Sequence, residues 1–464
     1  MSLSPGMLTR ALLAALAFVN PAAAAAAPTA PQAHPDALLW SRAGQATAAA
    51  HALVVTLQAA SRYGLSGADY GAPALAAELA ALEAHPDAAA AGWSHFDRAL
   101  SRAALAVIHD LHFGRIDPRS AGFDLPARTE AFDATAVLGQ LASRDDPQAV
   151  LAQIEPAYLH YRLLLQALTR YRDLAAGPRP PDLPALHRSV KPGEYYAAAA
   201  QLRQRLALEG DLPPQAAART EPLLDEDLVA ALKRFQYLHG LAEDGALGRN
   251  TLAALEVPLA RRVRQIELTL ERWRWVPALR PPTLIVNIPQ FRLFLIRAAI
   301  DDEAGMLRMN VIVGQQYPQL HTPVFTADMT AVLFRPYWEV PPSIVRRELL
   351  RELRRDPRYL ETHDMELVSA GSAGPADAAL GATPGNLQAL AAGELRLRQR
   401  PGPDNALGLI KFVLPNRYDV YLHSTPAQHL FGEARRAFSH GCIRVSDPVA
   451  LAVAVMQGTA GDWT

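Results

Sequence analysis

The apolar residues of this chain change their spacing near Thr283, and that change constrains the fold more than any other feature. From about Ala37 to Leu206, Ala- and Leu-rich segments repeat at helical spacing and are broken by Pro-containing joints. After Thr283, short segments such as "TLIVNI" and "RLFLIR" have the spacing of strands. We therefore predict a multidomain α+β protein with a helical N-terminal part and a mainly-β C-terminal part.

Length and charge narrow the class of protein further. A chain of 464 residues is expected to form about three domains. Its 45 Lys and Arg residues against 46 Asp and Glu residues leave a net charge of -1. There is no basic surplus to neutralise a nucleic-acid backbone, so we expect no nucleic-acid partner.

The first 27 residues have the pattern of a secretory signal peptide. Arg10 precedes an apolar run that ends at Asn20-Pro21, and a string of alanines then offers small-residue cleavage sites. The run is shorter than the ~20 residues needed to span a bilayer, and no later stretch qualifies. We predict an exported, periplasmic protein with no membrane span after cleavage.

Residues 35–220 are expected to form a helical scaffold domain without chemistry of its own. Four histidines in this part (His95, His109, His112 and His160) have no metal-ligand spacing. No cofactor motif occurs either, so we predict neither a metal nor a cofactor.

A second helical unit is expected at residues 221–258. Asp225, Glu226 and Asp227 stand where a helix N-terminus favours negative charge, and Gly240 is placed to end that helix. The stretch "LVAALKRFQYLHGLAEDGALGRNTLAAL" resembles the peptidoglycan-binding module found beside many cell-wall enzymes. The alternative is a plain helical hairpin with an ordinary core. Residues 259–282 are interpreted as a linking helix that ends at Pro277.

The C-terminal domain, residues 283–464, is predicted to be mainly β with a helical capping insertion at about 340–395. Ser343 is expected to cap the first helix of the insertion, and 369–393 is expected to be irregular. Ser446-Asp447-Pro448 predicts the start of a closing helix. Six arginines in the insertion are interpreted either as a solvated helix face or as contacts to anionic substrate: Arg346, Arg347, Arg351, Arg354, Arg355 and Arg358.

The only cysteine, Cys442, lies in "YLHSTPAQHLFGEARRAFSHGCIRVSDP" (residues 421–448). Acyl transfer by a thiol needs a nucleophile with a lowered pKa, a base and donors for the oxyanion. The amides of Gly441 and Cys442 are the expected donors. His423, at the end of a predicted strand, is the expected base, while His440 is expected to bind substrate or the loop. Arg444 suits a substrate carboxylate or a structural partner.

Each of these residues also has an ordinary interpretation. Cys442 would be a small buried hydrophobe, His423 a satisfied strand histidine and Arg444 a surface ion pair. The order His-Ser-Thr, a short spacer and then Ser-His-Gly-Cys-Ile-Arg is too particular for that interpretation to hold for all three.

The segment resembles the signature of the L,D-transpeptidase (YkuD-type) catalytic domain, in the large periplasmic subclass. The resemblance implies that Cys442 is the nucleophile and His423 the base. It implies that Ser424 orients the base through its carbonyl. The other expected pocket residues are Ser439, His440, Gly441 and Arg444, with Tyr421 and Trp338 as pocket walls. Arg444 departs from shorter family members, which often have Asn there.

The reaction implied by the resemblance joins peptidoglycan stem peptides. A tetrapeptide donor would acylate Cys442 with release of D-alanine, and the side-chain amine of a diaminopimelate acceptor would then take the acyl group. The resemblance also implies that carbapenems acylate the thiol. Two alternatives stay open: a cysteine peptidase or amidase that hydrolyses stem peptides, and a non-catalytic cell-wall binding protein.

Overall fold

The computed structural model describes residues 14–18, 38–85, 90–125, 128, 131–179, 181–277, 282–297, 306–316, 320–356, 358–371 and 378–457. The chain divides into two compact units, one within residues 1–279 and the other formed by 280–464 together with 14–20. The expected signal peptide lies outside the described residues except for Ala14–Phe18, a strand (β1) that pairs with Thr283–Asn287. In the described ranges, no helix is long and apolar enough to cross a membrane.

The N-terminal unit is helical, as predicted, and its first core is formed by Ala- and Leu-rich helix faces. The Thr47 hydroxyl accepts a hydrogen bond from the Ala50 amide at 3.1 Å, which caps the first helix. A short hairpin of Ser41–Arg42 (β2) and Gln45–Ala46 (β3) precedes it. The helices of this part are α1 Ala48–Gln58, α2 Ala72–Ala84, α3 Ala90–Phe113, α4 Ala134–Ser143, α5 Pro147–Ala152 and α6 Leu159–Ala176.

A separate core follows in the same unit. Asp225 caps its main helix by accepting a hydrogen bond from the Leu228 amide at 3.1 Å, and Gly240 ends that helix with a φ of 65°. The Gln236 side chain accepts from the Gly245 amide at 2.8 Å and so fixes the following turn. The helices are α7 Ala199–Glu209, α8 Pro214–Ala217, α9 Glu226–His239, α10 Arg249–Leu255 and the linking helix α11 Leu259–Arg274.

The C-terminal unit contains two sheets. Its strands are β4 Thr283–Asn287, β5 Arg292–Ile296, β6 Met306–Gly314, β7 Ala331–Phe334, β8 Trp338–Glu339, β9 Met365–Ser369, β10 Leu395–Gln399, β11 Ile410–Val413, β12 Leu422–His423, β13 Ala437–Ser439 and β14 Ile443–Val445. The larger sheet has the order β1-β4-β5-β6-β14-β12-β11-β7, with β13 paired to β6. The mainly-β C-terminal part expected from the strand-like spacing is therefore confirmed.

The core of the larger sheet fixes the strands that carry the candidate site. Leu293, Phe412 and Val445 come from three strands and are fully buried together. The closing helix, α16 Pro448–Met456, packs on this core and begins at the predicted signal, since Asp447 accepts from the Ala450 amide at 2.9 Å.

The capping insertion differs from the prediction, because it is a mixed α/β subdomain rather than a helical one. We call residues 338–399 the capping subdomain. Its three strands form a sheet of order β8-β10-β9. Beside them lie α12 Pro342–Ile344, a π-helix Val345–Leu349, α13 Leu350–Arg355, α14 Tyr359–Thr362 and α15 Pro384–Ala392.

Two local expectations for the capping subdomain were wrong. Ser343 does not cap its first helix, because the helix already begins at Pro342, where proline is well suited to a first turn. Within the stretch expected to be irregular, α15 is a regular helix. Its cap is Thr383, whose hydroxyl accepts from the Asn386 amide at 3.2 Å.

Candidate active site

The parallel pairing of β12 with β14 brings the two halves of the sequence signature together. His423 lies opposite Arg444 in this pairing, and the Ile443 amide donates to the Tyr421 carbonyl at 3.0 Å. Cys442 immediately precedes β14. A pocket of about 400 Å³ opens here, and its lining includes Cys442 and His423.

His423 is in the state that a general base requires. Its side chain is buried, and Nδ1 donates to the Ser424 carbonyl at 2.5 Å, which leaves the lone pair on Nε2. Burial, and then the positive charges of Arg444 and Lys411, lower the pKa of His423 to about 3, against the opposing effect of the Ser424 hydrogen bond. The imidazole is therefore neutral at neutral pH.

Cys442 departs from the expectation of a lowered thiol pKa. Burial raises the pKa of Cys442, against hydrogen bonds from Tyr421 and the charges of Lys411 and Arg444. The thiol donates a hydrogen bond to the Asp419 carbonyl at 3.7 Å. No hydrogen bond joins the sulfur to His423 within the described residues. The resting site is thus a neutral thiol beside a neutral imidazole.

Hydrogen bonds within the loop fix the backbone around the thiol. The Ser439 hydroxyl donates to the Cys442 carbonyl at 2.5 Å and accepts from the Gly441 amide at 3.1 Å. Gly441 has a φ of +122°, a conformation that residues with a Cβ rarely adopt. This differs from the expectation for the oxyanion donors, because the Gly441 amide is already used. No hydrogen bond from the Cys442 amide is found within the described ranges, so this amide is the expected donor that remains available to an oxyanion.

Thr322, which the sequence analysis did not single out, holds the other side of this loop. Its hydroxyl donates to the Gly441 carbonyl at 2.7 Å and accepts from the Gly314 amide at 2.9 Å. A Cβ on Gly314 would lie 2.1 Å from the Leu320 carbonyl oxygen, so the close approach requires glycine. The end of β6 therefore directly supports the loop that contains Gly441 and Cys442.

The contacts of His440 do not favour it as the general base. Its side chain is exposed, and Nε2 lies 2.8 Å from a carboxylate oxygen of Glu348 in the π-helix of the capping subdomain. The contact links the loop around Cys442 to the capping subdomain. A half-exposed pair of this kind is worth at most about 1 kcal/mol.

Arg444 is half-buried, lines the pocket and has no carboxylate partner within the described part of the chain. Burial lowers the pKa of this guanidinium group, against the attraction of Cys442. Its Nε has no hydrogen-bond partner in the structure. A half-buried cation with no carboxylate partner is suited to an anionic group of a ligand.

Aromatic side chains close the pocket beside the sulfur. Tyr421 hydrogen-bonds Cys442 and Trp338, and its pKa is raised, chiefly by burial. Trp338 comes from β8, so this wall joins the larger sheet to the capping subdomain. The ammonium group of Lys411 lies 4.0 Å above the centre of the Tyr421 ring. Lys411 is a second residue that the sequence analysis missed.

The remaining candidates behave as surface groups. All six arginines of the insertion are exposed, and of these Arg347 lines the pocket. In the described ranges, no group of three or more His, Cys, Asp or Glu side chains has a geometry that would hold a metal ion.

Comparison with known families finds matches to three regions of the chain. Residues 281–461 match the L,D-transpeptidase catalytic domain family, YkuD. Residues 197–255 match a family described as "Putative peptidoglycan binding domain", and residues 32–168 match a "Scaffold domain" family. The chain therefore carries a YkuD-family L,D-transpeptidase catalytic domain together with a peptidoglycan-binding domain.

A curated relative agrees with that assignment. The chain is 29% identical over 235 residues to a Haemophilus influenzae protein named "Putative L,D-transpeptidase". The match covers 49% of this chain and 45% of the relative, so it spans less than half of either protein. The peptidoglycan-binding match begins at residue 197, whereas the sequence predicted a module that begins at residue 221. The earlier start includes α7, which shares a hydrophobic core with α9.

Proposed function

We propose that the protein is an L,D-transpeptidase that cross-links peptidoglycan stem peptides through a thioester on Cys442. The observation that carries this proposal is the pairing of a neutral imidazole with a single thiol in one pocket. The family of the catalytic domain and the peptidoglycan-binding domain support the substrate class. The cross-link, the donor and the acceptor are proposals.

Acylation begins with a proton transfer. The Cys442 thiol turns from the Asp419 carbonyl, gives its proton to Nε2 of His423 and attacks the carbonyl carbon of the bond before the terminal D-alanine. The Cys442 amide stabilises the oxyanion. His423 then gives the proton to the leaving amine. The products are free D-alanine and a thioester on Cys442.

Deacylation follows the same route in reverse. The side-chain amine of diaminopimelate in a neighbouring stem attacks the thioester and loses a proton to His423. Collapse of the intermediate returns the thiol and forms the new amide bond. Water must be kept out while the amine is admitted, and the capping subdomain, which contributes Trp338 and Glu348 to the pocket, has the position to do so.

Substrate binding would use the free cations of the pocket. Arg444 has no carboxylate partner within the described ranges, so we assign it to a carboxylate of the donor stem. Exposed Arg347 at the rim can meet a second one. We also propose export to the periplasm, on the signal-peptide pattern of residues 1–27, and acylation of Cys442 by carbapenems, as in the family resemblance.

The decisive experiment is mass spectrometry of muropeptides after purified protein is incubated with sacculi rich in tetrapeptides. We expect cross-linked dimers and released D-alanine from the native protein and neither product from Cys442→Ala, which has no second thiol to substitute. Accumulation of free tripeptide acid without dimers would instead identify a hydrolase. No product at all from a folded native protein would leave a cell-wall binding protein.

A further inference from the structure

Lys411 lies in a row of basic side chains across the strands that carry the candidate site. It pairs directly with His423 between β11 and β12, and His423 pairs in turn with Arg444 between β12 and β14. Directly paired residues of neighbouring strands place their side chains on the same face of a sheet. The order across that face is Lys411, His423, Arg444, so the imidazole has a cation on each side.

The ammonium group of Lys411 also contacts the aromatic ring that lies beside the sulfur. Its Nζ is 4.0 Å from the centre of the Tyr421 ring, and Tyr421 hydrogen-bonds Cys442. The side chain of Lys411 is half-buried. At that depth, a cation over an aromatic face is attracted to the ring and helps to hold it in place.

The charges around Lys411 do not cancel it by a close ion pair. The groups that interact with it electrostatically are Cys442, Glu339 and Asp419, together with His423 on the paired strand. No carboxylate within the described residues lies in ion-pair contact with Nζ. Its charge therefore remains available to the thiol.

The choice of lysine at this position is unusual for the chain. Only three of its 45 Lys and Arg residues are lysines, namely Lys191, Lys233 and Lys411. Lys411 is the sole lysine of residues 281–461, the part that matches the catalytic domain family. A lysine ammonium is a compact point charge, whereas a guanidinium group is broad and planar and would meet the Tyr421 ring differently.

We propose that Lys411 is a positioning residue of the active site, which fixes the Tyr421 ring against Cys442 and whose charge favours the thiolate when the thiol gives its proton to His423. The inference rests on the proposed role of Cys442 as nucleophile. In that step the S–H bond breaks and an N–H bond forms at Nε2, so a thiolate and an imidazolium ion arise together. The two flanking cations stabilise the thiolate and repel the imidazolium ion, which then passes its proton readily to the leaving amine.

Lys411→Met removes the charge and keeps most of the side-chain stem, and Lys411→Arg keeps the charge. Cys442 is the only cysteine, so alkylation by iodoacetamide, followed by intact mass against pH, reports on this thiol alone. We expect Lys411→Met to raise the apparent pKa of the thiol by about one unit, which lowers the alkylation rate about tenfold at pH 7. Lys411→Arg should recover most of that rate. Lys191→Met, which removes an exposed lysine from the other unit, should match the native protein.

A purely structural role would lower the unfolding temperature of Lys411→Met without moving its alkylation profile, and that result would overturn the inference. If Lys411→Met does not fold, Lys411→Gln supplies an uncharged polar side chain for the same comparison. Cross-link formation by the native protein is measured in parallel. If Lys411→Met shifts the alkylation profile but the native protein forms no cross-links, the proposed function is contradicted and the role of Lys411 stands. If the native protein forms cross-links but Lys411→Met leaves the profile unchanged, the proposed function stands and the role of Lys411 is contradicted.

Discussion

Replacement of Thr322 by valine tests whether the loop around Cys442 depends on the end of β6. Valine has nearly the shape of threonine but cannot bond the Gly314 amide or the Gly441 carbonyl, which now meet Thr322 at 2.9 and 2.7 Å. Thr322 is 5% exposed, so water has little access to replace the lost bonds. Each buried group left without a partner costs roughly 1–3 kcal/mol.

The two groups together predict a loss of about 2–6 kcal/mol in the free energy of unfolding of the C-terminal unit. A domain is commonly stable by about 5–15 kcal/mol, so Thr322→Val should still fold. Its calorimetric unfolding temperature should fall by several degrees. Cross-link formation should fall more steeply, because freeing the Gly441 carbonyl lets the loop move and displaces the Cys442 amide from the oxyanion.

Thr322→Ser is the matched control, since it keeps the hydroxyl and removes only a methyl group. It should retain most of the turnover lost in Thr322→Val. Equal stability and equal turnover of Thr322→Val and the native protein would refute the reasoning, because both hydrogen bonds would then be dispensable.

Two further predictions concern the protonation states and the two histidines. Because the thiol pKa lies above its ordinary value of about 9, the thiolate fraction of Cys442 at pH 7 is below about 1%. The alkylation rate of the native protein should therefore rise with pH through pH 9. A plateau in that rate between pH 4 and 7 would instead reveal a thiolate–imidazolium pair. His423→Ala should slow cross-linking by about 10²–10⁴-fold, as expected for loss of a general base. His440→Ala loses only the exposed pair with Glu348, so it should change the rate less than tenfold and mainly through KM. Both variants are compared by steady-state kinetics with a soluble tetrapeptide, and a slower His440→Ala would mean that the two roles are reversed.

The features that sequence predicted well depend on residues close together in the chain. Asp225, Gly240 and Asp447 act on their own helix ends within three or four positions, so the local pattern contains the whole signal. The strands β4 and β5 are joined by a short turn and are equally local. The signature around Cys442 could be recognised in the sequence for another reason. Its residue types and their order are specific enough to identify it without knowledge of the fold.

The sequence did not predict the sheet of the capping subdomain, because the residue pattern of its strands does not distinguish a strand from a helix. The segment of β10, "LRLRQ", alternates leucine with arginine over five residues, which is too short to distinguish a strand from a helix turn. Arg398 is nevertheless buried, because Glu366 of the neighbouring strand accepts from its Nε at 2.6 Å. That pairing joins residues 32 positions apart and leaves no local pattern.

The two missed site residues show the same limit. Thr322 reaches Gly441 across 119 positions, and Lys411 reaches the site through the register of β11 with β12. The pKa of Cys442 likewise depends on burial by elements that only the fold assembles. For Lys411 one signal was present, since a lone lysine in an arginine-rich catalytic domain is a departure that composition alone reveals.

A neutral resting site would have a physical advantage for the exported, single-cysteine enzyme that we propose. Oxidants attack the thiolate rather than the thiol, so a Cys442 that stays protonated until substrate binds is protected without a disulfide. Such a site must generate the thiolate on demand, which requires a base that is neutral beforehand and fixed positive charges that stabilise the thiolate once it forms. His423 held by the Ser424 carbonyl meets the first requirement. Lys411 and Arg444, on either side of it in the sheet, meet the second.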